Sequence, residues 1–359
     1  MVSSSRRESP APTVKDVAVL AGVSPMPAPR VVSGVPTVND QLRDRVLAAI
    51  DTLGYEPNRA AAAMRNASSG GMAVGLCVET IENPFSAAVA RGIELALRPH
   101  GGLLFTASSE GDPETERDIL LEFYRRRVAG LVVMTVSPNH DFLVPHVHPR
   151  LPVVYLDRPA LLAGCDHVTA DHMDGSDACA SHLIAHGHRR IGFIGTNLTG
   201  HPVAERFAGY RAALERAGIP LDESLVVPLE HDRSTRQARE AIDRLLDAPH
   251  APTALFAASN SDMMVVTQTL HQRGVAGRIA HIAFDDIAFD DIAVADLITP
   301  PLSVYSQDPV ELGRLSGEAI LRRRAEPRRQ VANTTVLQGR LIPRGSGEIP
   351  PSPSPTATA

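Results

Sequence analysis

Short apolar runs alternate with longer helical patterns over most of this chain of 359 residues. Runs of this length, separated by amphipathic segments, are typical of buried strands joined by helices. The predicted strands are Ala73–Val78, Leu103–Ala107, Leu131–Val136, Val153–Leu156, Ile191–Ile194, Ala254–Ala257 and Ile279–Phe284. Repeated strand–helix units predict parallel sheets with helices on both faces. Because the segment is long for one sheet, we expect an α/β core of two doubly wound lobes with a cleft between them, over residues 72–343.

A different pattern precedes this core. Thr13 is a candidate N-cap with Asp16 at capping-box spacing, and the apolar residues that follow fall on one helical face. A glycine then supplies a turn, and Ser24 is placed to cap the next helix. A third helix is predicted over Asp40–Thr52, with Asn39 as its cap. Residues 13–57 therefore fit either a small all-α helix-turn-helix head, which presents its second helix to DNA, or an ordinary helical hairpin.

Composition marks the remaining boundaries. Residues 1–12 and 344–359 are rich in Ser, Pro and Thr, and we expect both to be disordered. Residues 58–71 predict a short Ala-rich helix followed by a flexible joint. The first 70 residues carry a net charge of +2, whereas the rest of the chain carries −8. This asymmetry has the sign expected of a DNA-facing head on an acidic body.

The three cysteines, Cys77, Cys165 and Cys179, are too far apart in sequence to form a disulfide framework or a metal cluster. No segment is apolar over the length needed to cross a membrane, and the N-terminus lacks the apolar stretch of a signal peptide. We therefore expect a cytoplasmic protein with no membrane partner.

Ten stretches of the chain, in order, resemble the LacI-type (lactose/galactose repressor) family of bacterial transcription regulators. They are Thr13–Ser24, Arg45–Asn58, Glu82–Phe85, Arg127–Leu131, Leu151–Pro159, His182–Ile191, Glu205–Gly209, Pro252–Phe256, Phe284–Asp286 and Thr299–Leu302. The resemblance implies a homodimer with a DNA-binding head, a hinge helix within residues 58–71, and a core like that of periplasmic sugar-binding proteins. A small effector, a sugar or sugar derivative, would bind between the lobes and change the affinity for a double-stranded DNA operator. No cofactor is expected.

The resemblance also assigns DNA-contacting positions. These are Thr13, Ser24, Arg30, Asn39, Asn58 and Met64. Thr13, Ser24 and Asn39 match positions that hold phosphates, which sets docking but not sequence preference. Arg30 matches an arginine of the recognition helix that can pair with guanine. Met64 stands where an apolar wedge enters the minor groove, although without the resemblance it would be an ordinary apolar residue of an Ala-rich helix.

The recognition helix departs from the family pattern, because Pro25, Pro27 and Pro29 replace polar residues. An interior proline costs a helix ~3 kcal/mol, and Pro27 also disfavours the α conformation of Met26. We therefore expect this helix to start late, near Arg30, or to be distorted. The alternative function is a cytoplasmic small-molecule (sugar) receptor whose DNA-reading helix is impaired by these prolines.

Six further residues match effector-contacting positions of the family. They are Phe85, Asp157, Arg206, Asn260, Asp285 and Gln307. Carboxylates and amides bind sugar hydroxyls, and an arginine can bind hydroxyls, a carboxylate or a phosphate. Taken singly, the polar residues also fit surface ion pairs on loops, and Phe85 fits a core position. The sequence Ala-Phe-Asp-Asp-Ile, which contains Asp285, occurs twice in succession, at residues 283–287 and 288–292. We choose Asp285 over Asp290 because the predicted strand Ile279–Phe284 runs directly into Asp285.

An enzyme is disfavoured. His182, His186 and His188 have a spacing that could suit a metal, but no second carboxylate–histidine set accompanies them. Ser181 and His182 lack the glycine frame of a nucleophile elbow. The sequence contains neither a phosphate-binding loop nor a dinucleotide fingerprint. We therefore predict no catalytic site and no metal site.

Overall fold

The computed structural model describes residues 12–24, 28, 31, 39–55, 72–147, 151–198, 200–230, 235–285, 288–289, 292–326 and 331–351. The chain divides between Gly71 and Met72 into two compact units. The head and the core unit each have hydrophobic clusters of their own.

The head contains helices α1 (Val14–Leu20) and α2 (Asp40–Leu53). Thr13 forms the predicted capping box, since its backbone N–H donates to Asp16 Oδ2 at 2.7 Å and its Oγ1 accepts from Asp16 N–H at 3.4 Å. Asn39 Oδ1 accepts from Gln41 N–H at 3.0 Å and caps α2. Both predicted caps are confirmed.

Ala28 and Val31 are helical and buried in the core of the head. Ala28 is helical two residues before Arg30, and the expectation of a late start or a distorted helix stays a prediction, because residues 25–27, 29 and 30 lie outside the described ranges. Pro25, Pro27 and Pro29 lie outside the described residues.

The core unit consists of alternating strands and helices. Its strands are β1 (Ala73–Val78), β2 (Leu103–Ser108), β3 (Gly130–Val133), β4 (Val153–Leu156), β5 (Asp166–Ala170), β6 (Ile191–Thr196), β7 (Val226–Leu229), β8 (Ala254–Ala257), β9 (Ala280–Phe284), β10 (Ala288–Phe289), β11 (Ile292–Ala293), β12 (Ser303–Ser306), β13 (Thr334–Leu337) and β14 (Arg340–Ile342). Its helices are α3 (Pro84–Leu97), α4 (Pro113–Arg125), α5 (His172–Ala185), α6 (Val203–Arg216), α7 (Thr235–Leu246), α8 (Asn260–Gln272), α9 (Val294–Leu297) and α10 (Pro309–Ala325). Each strand predicted from an apolar run is present.

The strands form two six-stranded sheets, one in each lobe. The sheet of the first lobe has the order β13-β5-β4-β3-β1-β2 and is parallel throughout. The sheet of the second lobe has the order β14-β12-β9-β8-β6-β7 and is parallel except for β14. The two orders are equivalent, with β4 of the first lobe corresponding to β9 of the second. The predicted core of two doubly wound α/β lobes is confirmed.

The chain passes between the lobes three times: after β5, after β12 and between β13 and β14. Two of these connections are hydrogen-bonded to each other. Asp171 N–H donates to the carbonyl of Leu337 at 3.1 Å, and Gln338 Nε2 donates to Asp171 Oδ2 at 2.7 Å. These two connections therefore form a joint between the lobes, next to the strand ends.

In each lobe a glycine lets two helices touch backbone to backbone. A Cβ on Gly92 of α3 would lie 2.0 Å from the carbonyl oxygen of Val310, near the start of α10. A Cβ on Gly209 of α6 would lie 2.1 Å from the carbonyl oxygen of Met173 in α5. Any larger residue would therefore force the helices of its lobe apart.

Residues 344–351 pack against the second lobe. Ser346 is fully buried, with Oγ donating to the carbonyl of His281 at 2.5 Å and accepting from Ser303 N–H at 2.9 Å. Glu348 accepts from Ser303 Oγ at 2.9 Å and from Gly345 N–H at 2.6 Å. The expectation of a disordered tail from residue 344 onward is therefore wrong for residues 344–351.

Two observations concern expectations drawn from composition. The three cysteines are free thiols and all are buried. Among the helices of the described ranges, none combines the length and the hydrophobicity that a bilayer crossing requires.

Candidate functional site

A cleft of about 640 Å³ lies between the two lobes of the core unit. Its walls come from the residues that follow the carboxyl ends of strands in both sheets, which is where parallel α/β folds place their ligands. All six candidate effector residues line it: Phe85, Asp157, Arg206, Asn260, Asp285 and Gln307. Asp290 lies outside the described residues.

Each lobe contributes a buried aspartate from the same topological position. Asp157 follows β4 and Asp285 follows β9, and both adopt left-handed backbone conformations, with φ of 65° and 77°. Each backbone N–H bonds to the adjacent strand segment: Asp157 to the carbonyl of Val168 and Asp285 to that of Tyr305, both at 2.8 Å. Two equivalent turns thereby bring one carboxylate from each lobe to the cleft.

Arg206, on α6, is held on several sides. Its Nη1 donates to the carbonyl of Ala258 at 2.7 Å and lies 3.5 Å from Asp285 Oδ2. Its guanidinium carbon lies 3.9 Å from the ring centroid of Phe284, a cation–π contact. The side chain is buried, so this charge has a fixed place at the cleft.

His172, the first residue of α5, lies between Arg206 and Asp157 and was missed by the sequence analysis. Arg206 donates to His172 Nδ1 from Nε at 3.4 Å and from Nη2 at 3.3 Å. On the other side of the ring, His172 Nε2 lies 3.1 Å from Asp157 Oδ1. Because Nδ1 accepts from Arg206, the ring carries a proton on Nε2, which also lies 3.4 Å from Thr169 Oγ1. Its position directly after β5 could have indicated it, but the pattern of apolar residues does not predict β5.

The two carboxyl groups of the cleft have opposite pKa shifts. Burial by itself would raise the pKa of Asp157, but His172, Arg206 and Arg158 together hold it well below the usual range. Burial raises the pKa of Asp285, and Arg206 offsets that rise only in part. Asp157 is therefore the firmly ionised member of the pair.

The amide side chains of the cleft complete its hydrogen-bonding surface. Gln307 Nε2 donates to Asp285 Oδ1, whereas Gln307 Oε1 is buried and has no hydrogen-bond partner within the described parts of the chain. Asn260 Nδ2 donates to Asn83 Oδ1 at 2.7 Å. Since Asn83 belongs to the first lobe and Asn260 to the second, this bond spans the cleft.

Several cleft residues lie beyond the matched effector positions. Glu79 pairs with Arg158 at the first-lobe wall. Asp262 accepts from Thr196 Oγ1 at 2.7 Å and from Ser259 Oγ at 2.7 Å at the second-lobe wall. Their signal was position alone, because each lies at or just after the carboxyl end of a strand, or in the first turn of the helix that follows.

Three of the six candidate DNA-contacting residues belong to the described part of the head. Thr13 and Asn39 are helix N-caps, and Ser24 is exposed at the end of the turn after α1. Arg30, Asn58 and Met64 lie outside the described residues, so their predicted roles remain predictions.

The histidines with metal-like spacing have structural contacts. His182 pairs with Glu348, His186 Nδ1 lies 2.8 Å from the carbonyl oxygen of His182, and His188 bonds to Thr253 Oγ1 at 2.9 Å. Within the ranges that the structure describes, no cluster of His, Cys, Asp or Glu has the arrangement of a metal site.

Comparisons with known proteins agree with this architecture. Residues 13–58 match the model for bacterial regulatory proteins of the lacI family, and residues 180–347 match a periplasmic binding protein-like domain. The chain is 30% identical over 339 residues to the ribose operon repressor of Escherichia coli (strain K12), covering 93% of this chain and 99% of that protein. It is 29% identical over 314 residues to the transcriptional repressor PurR of Haemophilus influenzae (strain PittEE), covering 87% and 90%.

Solved structures give the same result. A transcriptional regulator CelR–cellobiose complex has 28% identity and a TM-score of 0.64, covering 93% of this chain and 99% of that one. The lac repressor dimer bound to operator and the anti-inducer ONPF has 23% identity and a TM-score of 0.78, covering 93% and 98%, a likeness of fold. The chain belongs to the LacI family of bacterial regulatory proteins, and it is an effector-responsive DNA-binding regulator of transcription rather than an enzyme.

Proposed function

We propose that the cleft binds an uncharged sugar, with D-ribose as the first candidate, and that the protein is a repressor whose operator affinity depends on this occupancy. The observation that carries the proposal is Gln307 Oε1 beside Asp285, which is buried and has no hydrogen-bond partner among the described residues. A buried acceptor without a donor is costly, and a ligand hydroxyl would satisfy it. Ribose is chosen because a ribose operon repressor is among the relatives that the chain matches over nearly its whole length.

The charges of the cleft favour a neutral polyol over an anion. Asp157, Asp285, Glu230 and Asp262 line the cleft with Arg206, while Glu79 and Arg158 neutralise each other. A phosphate group would therefore meet more acidic than basic side chains in a buried site. Sugar hydroxyls, in contrast, both donate to carboxylates and accept from a guanidinium.

The aromatic lining argues against a nucleobase. Stacking on aromatic side chains is a principal way in which proteins hold a planar base. The chain contains no Trp, and Phe85 is the one Phe or Tyr among the described residues that line the cleft. A nucleobase would thus find one Phe ring and the imidazole of His201 to stack on, whereas a sugar finds acceptors from both lobes.

Binding to both lobes gives occupancy a mechanical consequence. A ligand that contacts Asp157 in the first lobe and Asp285 in the second favours the arrangement in which both lobes reach it, which is a population shift. In this proposal, residues 58–71 transmit that shift to the head within a homodimer. Thr13, Ser24, Arg30, Asn39, Asn58 and Met64 contact the operator, in the cytoplasm where that DNA resides.

Isothermal titration calorimetry tests the sugar site. We expect saturable heat without turnover from D-ribose, and none from ribose 5-phosphate or adenine. Arg206→Lys removes the fixed guanidinium and should abolish the heat. Arg216→Lys is the matched control, because Arg216 lies on the same helix but is exposed and pairs with Asp177. Equal loss in both variants, or tighter binding of the phosphate, would contradict the proposal.

Fluorescence anisotropy tests the regulator. We expect the protein to prefer a duplex from its own promoter over a random duplex of equal length, and D-ribose to change that preference. Light scattering should give the mass of a dimer. Sugar binding without any preference for the promoter duplex would favour the alternative, a receptor whose DNA-reading helix is impaired by its three prolines.

A further inference from the structure

His172 is buried between two cleft residues but does not itself line the cleft. Its ring touches Arg206 on one side and Asp157 on the other. We propose that His172 is a positioning residue, an imidazole that separates Arg206 from Asp157 and fixes both for the effector. The role in binding rests on the sugar site proposed above.

The hydrogen-bond pattern requires a group with one acceptor and one donor at this place. Both Arg206 nitrogens that face the ring are donors, so Nδ1 must be an unprotonated acceptor. Nε2 then carries the proton, and it lies 3.1 Å from Asp157 Oδ1 and 3.4 Å from Thr169 Oγ1.

The spacing has a consequence for binding. Within the described residues, Asp157 and Arg206 make no direct ion pair, because the imidazole stands between them. A direct bidentate pair would use up the donors of the arginine and the acceptors of the carboxylate. With His172 between them, Asp157 faces the ring through Oδ1 alone, while Arg206 faces it through Nε and Nη2 and turns Nη1 to Ala258 and Asp285. The hydrogen-bonding capacity that a direct pair would consume can then serve a ligand.

The position of His172 in the fold extends this role to the lobes. His172 directly follows the connection from β5, so it begins the first helix of the second lobe, while Asp157 belongs to the first lobe. Its ring also packs against Phe284, with centroids 5.8 Å apart, and Arg206 packs on that same phenylalanine. His172 therefore links the charged groups of both lobes at the joint between them.

Two substitutions separate positioning from packing. His172→Gln keeps an amide oxygen for Arg206 and an N–H for Asp157, whereas His172→Leu keeps similar bulk but neither group. In calorimetric titrations with D-ribose, we expect His172→Leu to lose about 10-fold or more in affinity and His172→Gln to stay within about 3-fold of wild type. His281→Leu is the matched control, because His281 is an equally buried histidine on β9 that does not line the cleft; its affinity should be unchanged.

A second measurement needs no ligand. Nitrogen-15 NMR of the ligand-free full chain should show His172 as the Nε2–H tautomer, and Arg206→Lys should shift its Nδ1 resonance. An Nδ1–H tautomer would overturn the proposal, as would equal ribose affinity of His172→Leu and His172→Gln when both melt like wild type. If wild type binds no sugar, the proposed function fails, and the NMR result still decides whether His172 holds this pair.

Discussion

Replacing Gly209 with alanine tests the close contact between α5 and α6, and with it the support of the effector site. The added Cβ would lie 2.1 Å from the carbonyl oxygen of Met173 and 3.0 Å from the backbone nitrogen of Asp177, whereas ordinary contacts begin near 3.4 Å. The obstacle is backbone, so no rotamer change can relieve it. The two helices would have to separate by about 1 Å in a close-packed lobe.

The expected free energy follows from two opposing terms. Alanine in a helix is favoured over glycine by about 1 kcal/mol, while overpacking a core costs about 1–3 kcal/mol and more when backbone must move. Since the clash here is with a helix backbone, we expect Gly209→Ala to lower the free energy of unfolding by about 2 kcal/mol. The shift would also move Arg206 away from His172, so sugar affinity should fall together with stability.

Urea unfolding of the full chain, followed by circular dichroism, measures this change. Gly277→Ala is the matched control, because a Cβ on Gly277 meets nothing within 4 Å and its φ needs no left-handed conformation. The control should stay within about 0.5 kcal/mol of wild type. If Gly209→Ala unfolds at the same urea concentration as Gly277→Ala, the reasoning from helix contact is refuted.

Three other predictions concern buried polar groups. Arg323→Leu should lower the free energy of unfolding in urea by about 3 kcal/mol or more, because it leaves Asp166 buried without its ion pair. Arg314→Leu, on the same helix but in part-exposed ion pairs, should lower it by less than about 1 kcal/mol. Equal losses in the two variants would contradict this. Burial favours a raised pKa for Glu116, but hydrogen bonds from His140, Val136 and Thr135 lower that pKa below 4.5. The stabilisation by ionised Glu116 is therefore present above pH 4.5 and is lost as the pH falls further. Glu116→Gln should be less stable than wild type at neutral pH, and its melting temperature should depend less on pH in the acid range. Glu348→Ala should lower the thermal midpoint, because Glu348 anchors the C-terminal segment, and an unchanged midpoint would argue against that anchoring.

The parts of the fold that could be predicted are those whose signal is local. The central strands, such as β4 in the first lobe and β8 in the second, are continuous apolar runs in which every residue is buried. β5 was missed because it begins with Asp166, a buried charge that is stabilised by Arg323 and by the backbone N–H of Asn333, both far away in sequence. A strand such as β5 therefore cannot be predicted from local apolar pattern, because the residues that stabilise its buried charge are distant in sequence.

The site shows the same division. The six effector candidates were found through residue-by-residue resemblance, and the cleft brings all of them together. Asp285 lines the cleft because β9 ends directly before it, and the choice of Asp285 over Asp290 stays a prediction, since Asp290 lies outside the described residues. His172 could not be found in this way, since its role depends on Arg206, 34 residues later in the chain, and on a tautomer set by that contact. The disordered-tail expectation failed because composition ignores Ser346 and Glu348, whose partners lie on distant elements.

The equivalent aspartates explain why such a site suits a neutral ligand. A non-glycine residue in the left-handed region carries strain of order 1 kcal/mol, and both Asp157 and Asp285 carry it. Asp285 lies 3.5 Å from Arg206, and Asp157 is linked to Arg206 through His172, so the charge of Arg206 has acidic partners from both lobes. A neutral polyol can enter without disturbing this balance, whereas an anion or a cation would leave one buried charge uncompensated. Since one aspartate comes from each lobe, a neutral ligand that satisfies both stabilises the two lobes together, which gives the head a signal that depends on hydroxyl geometry rather than on charge.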